Sequence, residues 1–85
     1  MRLEETNVKL TFPCDPRFVD TLCAAVFMAV MSVGGSEESG QAAARAVETF
    51  VEPDLGVPHA APVVVEVTGT RARMSAGSRH LTVDL

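Results

Sequence analysis

Glu48 and Glu52 stand four residues apart in the stretch ARAVETFVEPDLG, residues 44–56, with Asp54 just beyond them. On a helix that spacing puts both carboxylates on one face, a turn apart, where like charges repel. Such a group could hold a divalent cation. Hard cations, however, ask for about four or more oxygen ligands, or a phosphate to share, so the plainer reading is a solvated helix end. His59 and His80 lack an i, i+4 spacing and any cysteine in ligand register, and read as solvent-facing imidazoles rather than a metal site. No Ser-His-Asp or Cys-His arrangement can be inferred, and no GxSxG turn is present. The stretch VGGSEESG, residues 33–40, has three glycines near a helix start, but it lacks the P-loop lysine and the dinucleotide-binding spacing. It also carries two glutamates where a phosphate site wants cations, and reads as a turn between helices.

Those residues must be positioned by a small set of elements. In NVKLTF, Val8, Leu10 and Phe12 alternate with Asn7, Lys9 and Thr11, the pattern of a half-buried strand. Asp15 followed by Pro16 is a helix start, with a carboxylate for the orphan N–H groups and a proline pre-set for the first helical position. The helix is predicted to run from Pro16 to Val33, amphipathic at first, then apolar nearly all round, and to stop at Gly34 and Gly35. Ser36 caps a second helix, with Glu37 and Glu38 at its positive end and Gly40 weakening its first turns. Ala43, Ala46, Val47 and Phe50 form its apolar face, and Pro53 ends it. A proline-rich loop follows. VVVEV, residues 63–67, is a strand. A change of alternation near Gly69 calls for a tight turn or a bulge, SAGS is a hairpin turn, and RHLTVDL alternates again. The order strand, helix, helix, then two or three antiparallel strands predicts an α+β two-layer sandwich, residues 1–85 as one domain, with both helices on one face of a mainly antiparallel sheet.

Bulk properties exclude several function classes. The chain carries a net charge of −4 and no basic stripe, against the clustered cations that nucleic acid needs. Arg71, Arg73 and Arg79 gather near the C-terminus, and read as solubilising charges on exposed strand faces. Cys14 and Cys23 are too few and too isolated for a disulfide scaffold or a zinc site. Cys23 reads as a small buried hydrophobe, and nothing near Cys14 is seen to lower its pKa. The longest apolar run, LCAAVFMAVMSV, has 12 residues, whereas a spanning helix needs roughly 20. The N-terminal MRLEETNVKL has no apolar signal region, so a cytoplasmic protein is expected. A core of Val, Leu, Ala and Met, with four Phe and no Trp or Tyr, belongs to a domain of marginal size that gains by pairing.

The stretch LTFPCDPRFVDTLCAAVFMAVMSVGGSEESGQAAARAVETFVE, with VVVEV and RHLTVDL after it, resembles the first half of the anti-sigma-factor serine kinases, members of the histidine-kinase-like ATPase fold. The likeness spans Val8 to Asp84 and lies in element order and capping rather than dense identity. It implies that Glu48 stands at the family's catalytic Glu and that Asp84 falls where the adenine-reading Asp is found. It also implies that Glu52 replaces the Asn that holds metal, putting a negative charge beside a triphosphate. The lid and the second phosphate-binding glycine motif are not in this sequence. The resemblance therefore implies a stripped scaffold with vestigial positions Glu48, Glu52 and Asp84, no bound cofactor and no metal. A comparison with small phosphocarrier proteins fails, because PCDPRF has no His where theirs opens the first helix.

The expected function is non-catalytic: a regulatory or protein-binding domain similar to the dimerisation and partner-binding half of an anti-sigma factor, without nucleic acid or membrane. In that family the first helix serves pairing. The apolar run from Leu22 to Val33 gives a physical reason for the same use here, and Leu22, Val26, Phe27, Val30 and Met31 form the expected interface with a protein partner or a second copy. The alternative is a small nucleotide- or metal-binding enzyme subunit that uses the acidic helix end.

Overall fold

The computed structural model describes residues 7–85. The reading of a cytoplasmic protein drew on the N-terminal residues, and residues 1–6 lie outside the described ones. The elements are β1 (Val8–Phe12), α1 (Val19–Ser32), α2 (Glu37–Val51), β2 (Val63–Val67), β3 (Arg71–Ala76) and β4 (Arg79–Asp84). The four strands form one antiparallel sheet in the order β1-β2-β3-β4, with β1 brought back beside β2 by the helical pair. α1 lies over β1 and β2, and α2 over β3 and β4. The α+β two-layer architecture expected from the sequence is present, with three strands after the helices.

Local chemistry accounts for the boundaries. The Asp15 carboxylate accepts from the Arg17 backbone N–H at 2.9 Å, and Pro16 opens a 3-10 turn, Pro16–Phe18, before α1 begins at Val19. The expected helix start is thus a tighter turn that feeds the helix. Gly34, at φ +89°, ends α1: its N–H bonds to the Met31 carbonyl and that of Gly35 to the Val30 carbonyl, a Schellman closure. Ser36 caps α2 by accepting from the Ser39 N–H at 3.1 Å. Pro53 does not halt the coil at once. α2 stops at Val51 and continues as a 3-10 turn, Glu52–Asp54, that includes the proline. Between β3 and β4, Gly77 supplies φ +63° at the first central position of a two-residue turn.

The shift of alternation near Gly69 has a simple cause. Val67 pairs with Ala72 and Val65 with Met74, so a tight turn places odd-numbered residues of β2 and even-numbered residues of β3 on the same face. No bulge is needed. That face and the inner sides of the helices make the core. Val26, Val30, Val47, Val63, Val65, Val67 and Met74 are fully buried, and among the described residues no polar side chain is buried with them. Each such side chain stabilises by about 1.5–3 kcal/mol relative to leaving it exposed. The cover thins over β4, where Leu81 faces the helix side yet stays 40% exposed.

Candidate functional site

α1 carries no charged residue from Thr21 to its end, and its burial divides it into two faces. Leu22, Val26, Ala29 and Val30 are buried against the sheet and α2. Thr21, Ala24, Met28 and Met31, spaced as one helical face, are exposed, with Met28 at 65% and Met31 at 42%. Methionine is flexible and polarisable, and a surface of Met and Ala adapts to many apolar shapes. Of the interface expected from the sequence, Leu22, Val26 and Val30 are therefore corrected: they serve the chain's own core and are out of a docking partner's reach. Phe27 is half-buried and Met31 is exposed, and the sequence reading did not select Met28.

Phe27 is held by its neighbour helix. A Cβ on Gly40 would stand 2.8 Å from the Phe27 Cδ1, so the absence of a side chain there lets α2 approach the ring. Gly40 is thus a packing residue, although its sequence signal was only weak helix propensity. Between the same helices the Cys23 thiol lies 3.6 Å from the Ala44 carbonyl. Burial pushes its pKa up, and the Glu48 carboxylate adds to the shift. Cys14 is half-buried, and burial, then Asp54, push its thiol up as well. Neither thiol is set up as a nucleophile.

The acidic positions are not brought together. Glu48 and Glu52 are exposed in the helical layer. Asp84 pairs in register with Arg71, next to the pair of the buried Ala72 with Val83, so alternation turns Asp84 to the opposite face of the sheet from the helices. The vestigial set implied by the resemblance is therefore split between two layers. Among the described residues no group of three or more His, Cys, Asp or Glu could hold a metal ion. His59 and His80 are both exposed, His80 on β4 and His59 in the loop before β2 at φ +63°.

Asp54 has another partner. Arg79 forms an ion pair with it and donates to the Phe50 carbonyl, and its guanidinium lies 4.6 Å from the centre of the Phe50 ring. The three C-terminal arginines are thus separated. Arg79 shares the helix-side face with Leu81 and Val83, a parity legible in the alternation of RHLTVDL, while Arg71 and Arg73 lie on the open face. Asp15 is held below the usual carboxylate range by hydrogen bonds from Arg17.

No family model, curated protein or solved structure matches this chain. Among the described residues no helix is long and apolar enough to cross a membrane.

Proposed function

We propose that this chain acts by binding protein rather than by catalysis, as a small regulatory domain similar to the pairing half of an anti-sigma factor, and that its partner on α1 is a second copy. The observation that carries this reading is the outward face of α1. Exposed Met28 and Met31 lie on a helix with no charge beyond Asp20. The chain as a whole bears −4, so two copies repel over most of their surface. An uncharged face is where they can approach without setting like charges opposite each other. Exposed Ala24 lets two such helices come close, and burying each Met side chain fully would contribute about 1.5–3 kcal/mol.

Light scattering on a concentration series tests the reading. The 9.0 kDa chain is expected to move toward twice its mass as concentration rises. Met28→Asp is expected to hold it at the single-chain mass, with the urea midpoint that the wild type shows at concentrations where it too is a single chain, because the side chain is outside the core. A wild-type mass that stays at one chain over the whole series, matching Met28→Asp, would overturn the assignment.

A further inference from the structure

The sheet face turned away from the helices reverses the charge balance of the molecule. Among the described residues, alternation places Lys9, Arg71 and Arg73 there against Glu66 and Asp84, one positive charge in excess, whereas the described residues together hold six Lys and Arg against nine Asp and Glu. Within this face the register brings four hydrogen-bonding side chains into one patch. Arg73 pairs with Thr82, and the next outward pair along is Ser75 with His80. Directly opposed residues stand about 5 Å apart at Cβ, and the two pairs are about 6.8 Å apart along the strands. On the other side of Arg73 stands Glu66, opposite both it and Lys9.

These residues line a shallow depression of about 230 Å³, whose walls include Lys9, Glu66, Arg73, Ser75, His80 and Thr82. It has room for several water molecules, hence for a phosphoryl group with a small fragment attached. A guanidinium donates in a planar fork suited to oxyanions. Two hydroxyls and an imidazole around the same point add donors from other directions, which favours a tetrahedral anion with three free oxygens over a planar carboxylate. Among the described residues Glu66 is the one acidic group in the depression. Lys9 beside it offsets its charge, and its carboxylate can only accept, which suits the hydroxyl groups of a ligand. Among the described residues neither Arg73 nor Lys9 is engaged in an ion pair.

We infer that Arg73, Ser75, His80 and Thr82 form a binding site for a phosphorylated small molecule bearing hydroxyl groups. The phosphoryl oxygens lie on Arg73 and the two hydroxyls, and Glu66 accepts from the rest of the ligand. This site is on the opposite layer from the outward face of α1, so it stands or falls separately from protein pairing.

Amide chemical shifts of the full chain, followed during titration with inorganic phosphate at ionic strength held constant with sodium chloride, test the site. Saturable shifts centred on Arg73, Ser75, His80 and Thr82 are expected. Arg73 is exposed, so Arg73→Met should keep the urea midpoint of the wild type while weakening phosphate binding about tenfold or more. Glycerol phosphate should bind more tightly than inorganic phosphate, and Glu66→Gln should narrow that difference. Shifts that fail to saturate, that sodium chloride alone reproduces, or that survive Arg73→Met unchanged would overturn the site. Equal binding of the two phosphates would overturn the part given to Glu66.

Discussion

Arg79 joins parts of the chain that are distant in sequence: the end of α2 through the Phe50 carbonyl, the turn after it through Asp54, and the first residue of β4. A cation there also complements the negative end of the helix dipole. Both charged side chains are partly exposed, so the ion pair alone is worth little, and the bond to the carbonyl and the contact with the ring carry more. Arg79→Met is expected to destabilise the domain by about 1–2 kcal/mol, because a carbonyl at a helix end loses its donor. Asp54→Asn should cost clearly less. Urea unfolding of both variants checks the order, and equal losses would show that the charge pair carries the whole effect.

At the scale of elements, the contact between the helices depends on Gly40. Helix propensity alone predicts that Gly40→Ala stabilises by about 1 kcal/mol. The packing predicts the opposite sign, since the new methyl would overlap the Phe27 ring, and overpacking costs typically 1–3 kcal/mol. We expect a net loss of roughly 1 kcal/mol, read from the urea midpoint. A gain would mean that the ring swings aside and that the helices are not held by this contact. The caps are a different matter. Asp15, Gly34 and Ser36 act within a few residues of themselves, and each was legible from residue type and position. The role of Gly40 was not, because the ring it accommodates belongs to another helix.

For the whole molecule, stability rests on one small core whose buried residues come from both helices and from β2 and β3, with half-buried residues of β1 and β4 packed against it. Val47 lies at its centre with no exposure. Val47→Asp would bury a carboxylate with no partner, and is expected to cost more than about 4 kcal/mol and unfold the domain. Circular dichroism would show the helical signal lost, and a cooperative transition near the wild-type midpoint would contradict the core described here. The order of elements, the caps at Asp15, Gly34 and Ser36, and the α+β class were written in the amino-acid sequence, because capping and hydrophobic period are decided by neighbours along the chain. The tertiary structure alone decided which apolar residues of α1 face outward, that Asp84 lies on the far face from Glu48 and Glu52, and that Arg73, Ser75, His80 and Thr82 share one depression. Those depend on strand register and on how the helices dock, and both are set by contacts between segments far apart in sequence.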